Sequence, residues 1–519
     1  MSAANALYRG PTLGDLFLRA LKSNPPDRLA VWDDREELTF AQFAARVAGF
    51  SDAMRAAGLR PGQALAQLSK NKADALCAIA AAFLVGLRYT PLHPLASAAD
   101  HAFILADAQI DALVVDEEGF SANVESLRQA MRPGAIVFSH NESAFGLALR
   151  SGRVQADALY SEARPEDIAL IAYTGGTTGR AKGVVHRHAS LVTNLLLAMG
   201  EWEWRDPIRF VAATPISHAA FLFVLPVLLR GGSFGMAGAF SPAAFAELVE
   251  RRGVTATFLV PTMIYALLDA PETVQSKLAG LDTIIYGAAP IASARLEQAL
   301  QRFGPIFAQL YGQTEAPNAI SMLFKRDHTP DRLSSCGVAL AANKVAVLDA
   351  ASAPVKIGEV GEICVRGPLL MDGYWNRPEE SAAAFESGWL HTGDLGRMDE
   401  NGFIYLVDRK KDMIISGGFN IYPREVEDVL STHPAVDYCC VAGVADPKWG
   451  EATTALVVLK EGRACAPEDL IAHVRSIKGP LMAPKFVLLA RSAPLTALGK
   501  PDRKAARALL AKAYPGARS

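Results

Sequence analysis

Hydrophobic positions along this chain recur with two periods, and the places where the period switches outline the fold. After Thr39-Phe40-Ala41-Gln42, a capping-box sequence, Phe40, Phe43, Val47, Phe50 and Met54 fall on one helical face, and Gly58 supplies a stop. A short strand is expected at Ala64–Leu68, an apolar helix near Ala73–Leu84 running to Gly86, and a further strand at Tyr89–Leu92. This βαβ-like alternation predicts an α/β layered domain with parallel strands. The pattern returns in strand-like runs at Ile168–Tyr173, Phe210–Thr214, Ala256–Val260, Thr283–Tyr286 and Ile306–Tyr311, with helical stretches at Pro242–Arg251 and Ala292–Arg302. Ligands on such sheets gather at the carboxyl ends of the strands.

From Val345 to about Val407 the texture changes to closely spaced β segments, including Glu359–Arg366, Gly402–Val407 and a turn at Gly373, which predicts a small β-rich subdomain. Asp408-Arg409-Lys410-Lys411-Asp412 is a charged break. Beyond it lie Met413-Ile414-Ile415, the turn Ser416-Gly417-Gly418, and a helix from about Pro423 whose Glu425 and Glu427 suit its N-terminal end. The remaining length is enough for a small α+β domain.

At 519 residues the chain is too long for one ordinary core. Half of it is hydrophobic and 20% charged, a globular balance. A net charge of −2 and a pI near 6.6 give no electrostatic basis for nucleic-acid binding, so a polyanion must be held locally. The longest apolar stretches, Ala75–Leu87 and Ala219–Leu229, fall short of the ~18–20 residues that span a bilayer. No hydrophobic run follows Arg9, so neither a signal peptide nor export is expected, and the protein is expected to be cytoplasmic. The six cysteines (Cys77, Cys336, Cys364, Cys439, Cys440, Cys465) show no CxxC pair and are expected to be reduced. His186 and His188 form an HxH with no completing ligand set nearby and are read as surface or packing histidines.

Four segments carry candidate chemistry. Tyr173-Thr174-Gly175-Gly176-Thr177-Thr178-Gly179-Arg180-Ala181-Lys182-Gly183 follows an apolar strand and offers hydroxyls, backbone N–H groups and one lysine, which is what a run of phosphate oxygens needs. A Walker A loop is excluded by register, since Arg180-Ala181 stand where that pattern wants glycine and lysine. Tyr311-Gly312-Gln313-Thr314-Glu315 closes a strand with an aromatic face for a purine, a hydroxyl, and a carboxylate for Mg²⁺. Thr392-Gly393-Asp394 places a carboxylate at a tight turn, suited to vicinal ribose hydroxyls. Gly499-Lys500 ends a Pro- and Gly-bounded loop near the C-terminus; spacing alone leaves its lysine either a solvated charge or a cation delivered to a site.

With the charged break these make five motifs in order, and over nearly the whole chain they resemble the adenylate-forming superfamily of acyl- and aryl-CoA ligases, luciferases and peptide-synthetase adenylation domains. The resemblance implies a large N-terminal adenylation domain of layered αβ sheets over residues 1–408, with the β-rich subdomain at about 340–408. A hinge at 409–412 and a mobile α+β lid at 413–519 complete it. It implies that Thr174, Gly175, Gly176, Thr177, Thr178 and Lys182 line the ATP phosphates. Gly287, Ala288, Ala289, Tyr311 and Gly312 would border adenine, and Asp394 and Arg409 would hold ribose. Thr314 would touch the α-phosphate and Glu315 would bind Mg²⁺. Lys500 matches the catalytic lysine, Lys411 the hinge position, and Gly417 and Gly418 the CoA side. Two positions depart from the pattern: Ala181 replaces a common proline, and Ser334-Ser335-Cys336-Gly337 is an atypical glycine turn.

The implied reaction is ATP-dependent: a carboxylate becomes an acyl-AMP with loss of pyrophosphate, then passes to the thiol of CoA. His218 would flank the carboxylate, and Ala219, Ala220, Phe221, Pro317 and Asn318 would line an acyl pocket. Phe221 stands where amino-acid-activating relatives place an aspartate, so an aromatic or fatty acid is expected instead. The expected partners are a small carboxylic acid and CoA, with no nucleic acid; a homodimer is compatible with the chain. Two alternatives stay open at this point: an acyl-AMP ligase that loads a carrier protein, and a non-catalytic nucleotide binder with a degenerate site.

Overall fold

The computed structural model describes residues 10–139, 159–174, 181–417, 419–495 and 502–518. Its centre is the helix Ala73–Val85, in which every residue but Asp74 is buried. A helix apolar on all sides must be covered on all sides. It lies in one core that draws Leu65 and Tyr89 from a seven-stranded sheet and Phe210, Phe234 and Phe258 from a nine-stranded sheet. Gly86 ends the helix at φ 76°, the left-handed cap expected of glycine. The helix Phe40–Ala56 begins at the anticipated capping box: Gln42 N–H donates to Thr39 Oγ1 at 3.2 Å, and Thr39 N–H donates to Gln42 Oε1 at 2.9 Å.

The seven-stranded sheet runs Gly373–Tyr374, Lys182–Arg187, Ile168–Thr174, Arg88–Leu92, Ala64–Leu68, Ala112–Val115, Ile136–Ser139. The last five strands of that order are parallel. The nine-stranded sheet has six parallel strands at its centre, from Phe307–Gln313 through Thr283–Gly287, Ala256–Leu259, Arg209–Ala212 and Ser233–Met236 to Leu29–Trp32. The carboxyl ends of Ile168–Thr174, Thr283–Gly287 and Phe307–Gln313 therefore carry three of the segments singled out above.

A five-stranded antiparallel sheet forms the β-rich region, with Lys344–Leu348, Gly361–Arg366, Trp389–Met398, Phe385–Glu386 and Ile404–Arg409. Gly373 is not the turn expected within it. Gly373–Tyr374 instead pairs antiparallel with Val184 and Val185 of the seven-stranded sheet, a contact between residues far apart in sequence that no local pattern encodes. The smaller C-terminal part has its own mixed sheet, built on Val436–Asp446 and Gly450–Leu459, and its own cores against helices Pro423–Ser431, Pro467–Met482 and Arg503–Ala513. Glu425 lies in the first turn of Pro423–Ser431, as expected. Glu427 does not serve the helix end. It pairs with Arg503 at 2.9 Å and accepts the Val441 N–H at 2.7 Å, because a half-buried carboxylate needs a cation and donors more than a helix dipole. No helix among the described residues is long and apolar enough to cross a membrane.

Candidate active site

Strands Ile168–Thr174 and Lys182–Arg187 form a hairpin in which Thr174 is the cross-strand partner of Lys182. Gly175, Gly176, Thr177 and Thr178, between them, lie outside the described residues, as do Gly418 and Lys500. Lys182 forms an ion pair with Glu380, and its ammonium stands 5.2 Å from the centre of the Tyr374 ring. The Tyr374 hydroxyl, in turn, donates to Glu315 Oε1 at 2.8 Å. Partial burial and the neighbouring Glu315 push that phenol upward, so it remains a donor. One tyrosine thus links the hairpin's lysine to the carboxylate that closes the other sheet's strand. A hydroxyl on Oε1 orients the carboxylate and leaves the lone pairs of Oε2 for a cation, so Glu315 fits a Mg²⁺ ligand.

The backbone on either side of Glu315 is also held. His186 Nε2 lies 2.7 Å from the Thr314 carbonyl oxygen, and Met371 N–H donates to the Glu315 carbonyl oxygen at 2.9 Å. A carbonyl only accepts, so Nε2 carries the proton. Burial lowers the His186 pKa to about 4, which keeps the ring neutral. His188 is equally buried, accepts the Leu13 N–H at 3.2 Å, and packs edge-on to Phe83. The HxH pair is therefore packing rather than surface, and one of its two rings supports the site.

Asp394 is buried and bridges two parts of the chain. Tyr311 Oη donates to its Oδ2 at 2.7 Å, and Arg409, its cross-strand partner, approaches Oδ1 at 3.4 Å. Burial pushes the Asp394 carboxyl up, with Arg409 and then the Tyr311 hydroxyl opposing that shift. A buried carboxylate in that condition is short of donors, and two vicinal hydroxyls would supply them. The turn before it is pinned: Gly393 has φ 72°, its N–H donates to Glu362 Oε1 at 2.9 Å, and Thr392 Oγ1 donates to the Ile363 carbonyl at 2.6 Å. Tyr311 itself is 7% exposed, so Gly312 beside it offers the more open surface.

The strand Thr283–Gly287 ends where Gly287 passes so close to its neighbour that a Cβ would lie 2.4 Å from the Leu310 carbonyl oxygen. Ala288 follows at φ 65°, a left-handed conformation that costs a residue with a Cβ about 1 kcal/mol, and such strain gathers at binding sites. Ala288 is exposed and Ala289 half-buried.

His218 is exposed, with Nδ1 3.0 Å from Ser217 Oγ and its ring 4.6 Å, edge-on, from His93. Burial lowers the His93 pKa to about 4. Asn71 braces this segment by donating to the Thr214 carbonyl at 3.1 Å and accepting the Ile216 N–H at 3.0 Å. Ala219 is half-buried; Ala220 is buried, and Phe221 packs inward against Phe83 at 5.8 Å. The Pro317 carbonyl accepts from Asn194; Asn318 lies on the same strand, Ala316–Leu323. Lys411 is exposed after the strand Ile404–Arg409. Gly417, at φ 59°, donates its N–H to the Trp449 carbonyl at 2.8 Å. Tyr374, Glu380, Asn71 and His93 were not singled out from the sequence, and His186 was read only as a surface or packing histidine. The one local signal was the HxH; the others act through partners remote in sequence.

Comparison with known proteins identifies the family. Residues 17–375 match the model of the AMP-binding enzyme family, and residues 425–500 match that of the AMP-binding enzyme C-terminal domain. The chain is 44% identical to a medium/long-chain-fatty-acid–CoA ligase of Mycobacterium tuberculosis, over 97% of this chain and 91% of that one. It is 36% identical to a feruloyl-CoA synthase of a Streptomyces species, over 95% and 98% of the two chains. Among solved structures, an amide bond synthetase from Marinactinospora thermotolerans superposes with a TM-score of 0.90 at 33% identity, covering 96% of this chain and 99% of that one. The chain belongs to the AMP-binding, adenylate-forming family of acyl- and aryl-CoA ligases.

Proposed function

We propose that this protein activates a fatty or aromatic carboxylic acid in the cleft bounded by Lys182, Glu315 and Asp394, and delivers it to CoA. The reaction class is ATP-dependent carboxylate–CoA ligation, an AMP-forming acid–thiol ligation, and the family uses ATP, Mg²⁺ and CoA. The observation that carries the reading is the Lys182–Tyr374–Glu315 bridge. It sets the Lys182 ammonium and the Glu315 carboxylate on either side of one ring, which supports the reading of the first as a phosphate ligand and the second as a metal ligand.

A carboxylate is a poor electrophile, and attack on the α-phosphorus of ATP brings two anions together. Lys182, on leaving Glu380, would meet the phosphates, and Thr174 and the hydroxyls of Thr177 and Thr178 would complete the cradle. Thr314, fixed through its carbonyl by His186, would donate to the α-phosphate. Glu315 would hold Mg²⁺, which supplies neutralising charge at the phosphates. Asp394, steadied by Tyr311 and Arg409, would take the ribose hydroxyls, and the Gly287–Ala289 backbone would border adenine. Lys500 would add an ammonium where charge builds, a contribution that typically amounts to ~3–4 kcal/mol. Thiol attack needs the face that Lys500 occupied, so the unit from 413 to 519 would rotate about the 409–412 segment, at Lys411, and bring Gly417 and Gly418 to the pantetheine. His218 would flank the carboxylate between the two steps.

The 44% identical relative favours a medium- or long-chain fatty acid, and the feruloyl-CoA synthase an arylpropenoic acid. ATP–pyrophosphate exchange across both acid classes, followed by thioester detection with CoA, tests the reading. Exchange with some acid and thioester formation with CoA are expected. Absence of exchange with every acid would favour a nucleotide binder, and exchange without CoA thioester would favour a carrier-protein acceptor. We place the reaction in the cytoplasm, where the six free cysteines would stay reduced. A homodimer is part of the proposal, to be read by sedimentation.

A further inference from the structure

Next to the Asp394 turn, whose Gly393 N–H donates to Glu362 Oε1, the five-stranded antiparallel sheet brings together three different donor atoms. Glu362 and Cys364 stand two residues apart on Gly361–Arg366 and so share a face of the strand. Cys364 is the direct cross-strand partner of His391 on Trp389–Met398. A carboxylate oxygen, the thiol sulfur and an imidazole nitrogen all lie within 4.8 Å of one another, the one such grouping of three ligand residues among those described. Cys364 Sγ is 3.5 Å from His391 Nδ1, and Nδ1 is 3.1 Å from Glu362 Oε2.

Those separations have a meaning beyond proximity. With zinc bonds of about 2.3 Å to sulfur and about 2.0–2.1 Å to nitrogen or oxygen, tetrahedral geometry sets the S···N edge at about 3.6 Å and the N···O edge at about 3.3 Å. The two observed distances match those edges to about 0.2 Å, on a strand pair whose register shifts between Glu362 and Cys364. We propose that Glu362, Cys364 and His391 form a binding site for a soft divalent cation of the zinc class, with water completing the tetrahedron.

The group that this ion would replace is also identifiable. Lys410 Nζ lies 3.1 Å from Glu362 Oε2, and its side chain is 60% exposed, so the ammonium can swing into solvent when a stronger cation arrives. His391 Nε2 is buried without a partner, so the ring is oriented through Nδ1, the atom that faces the cluster. A thiol and an imidazole select zinc-class ions over Mg²⁺, which takes oxygen ligands, so this site is chemically separate from the one at Glu315. A nucleophilic triad is the competing reading, and the geometry rejects it. The histidine offers the same nitrogen to both Cys364 and Glu362, whereas a triad needs opposite nitrogens. On binding, the sulfur exchanges its proton for the metal and the proton passes to solvent.

The test is a titration of the full chain, stripped with a chelator, using Co²⁺ as the probe and Zn²⁺ as the competitor. One equivalent of Co²⁺ is expected to produce thiolate-to-metal charge-transfer absorption, removed by Zn²⁺ and lost in Cys364→Ala. Loss of the band in Cys364→Ala distinguishes this cysteine from the other five, including the partly exposed Cys439 and Cys465. Lys410→Ala, a change at an exposed position, should tighten Co²⁺ binding about fivefold by removing a competing charge some 4 Å away. Absence of the band, the same band in Cys364→Ala, or unchanged or weaker binding in Lys410→Ala would each overturn the proposal. If Cys364→Ala fails to fold, His391→Gln takes its place and must weaken the band.

Discussion

Tyr374→Phe is the most informative single change in the cleft, because it deletes one hydroxyl and keeps everything else that the ring does. The aromatic face 5.2 Å from the Lys182 ammonium survives, as does the short strand that pairs with Val184 and Val185. What is lost is the 2.8 Å hydrogen bond to Glu315 Oε1. A hydrogen bond to a charged acceptor in a half-buried setting contributes about 1–2 kcal/mol net. Both residues are partly exposed, so water can resolvate Glu315 and the cost to global stability should be under about 1 kcal/mol. The carboxylate would instead lose its fixed orientation towards the metal. ATP–pyrophosphate exchange, measured as a function of Mg²⁺ concentration, should show kcat/KM for Mg-ATP lowered roughly 5- to 30-fold, with partial recovery at high Mg²⁺. Tyr374→Ala should fall further, since it also removes a cation–π contact of about 0.5–1 kcal/mol. Unchanged exchange in Tyr374→Phe, or a loss that Mg²⁺ does not relieve, would refute the claim that this hydroxyl aims Glu315.

The pH dependence of stability should carry a signature of His186. Its pKa falls from an ordinary 6.5 to about 4 on folding, so between those values the unfolded chain binds more protons than the folded one. Its stabilising effect is complete above pH 6.5 and fades as pH drops towards 4, a swing of roughly 3 kcal/mol. Urea melts at pH 7 and pH 5 should show His186→Gln losing less stability on acidification than the parent; equal losses would contradict the assignment. Gly337→Ala should be severely destabilising, by about 3 kcal/mol or more. Its Cβ would sit 1.9 Å from the Met322 carbonyl at a backbone φ of 86°, and thermal melting with a wild-type Tm would show that reasoning to be wrong.

Much of the scaffold was legible because its signals are local. Ala73–Val85 announces itself by an apolar run broken only by Asp74 and closed by Gly86, Ala64–Leu68 by a short run interrupted only by Gln67, and Thr39 by its capping box. Strand ends at Thr174, Gly287 and Gln313 were expected to hold the chemistry, and the structure puts them at the carboxyl edges of two sheets. What stayed hidden was every arrangement made by residues distant in sequence. Gly373 read as a turn because Gly-Tyr has no strand pattern of its own; the strand it pairs with, Lys182–Arg187, belongs to the seven-stranded sheet rather than to the β-rich one. Tyr374 reaches Glu315 across 59 positions, and His186 reaches Thr314 across 128. Glu427 looked like a helix-end charge because Arg503, 76 residues later, cannot be placed beside it by periodicity. Likewise, no spacing rule joins Glu362 and Cys364 to His391; cross-strand register does.

In the proposed reaction one cleft performs two half-reactions with different faces of the smaller domain. Its most direct test is Lys500→Ala assayed separately for adenylate formation from acid and ATP, and for thioester formation from supplied acyl-AMP and CoA. The first should fall about 10²–10³-fold or more while the second stays near the parent rate. Equal loss of both half-reactions would contradict the division of labour between them.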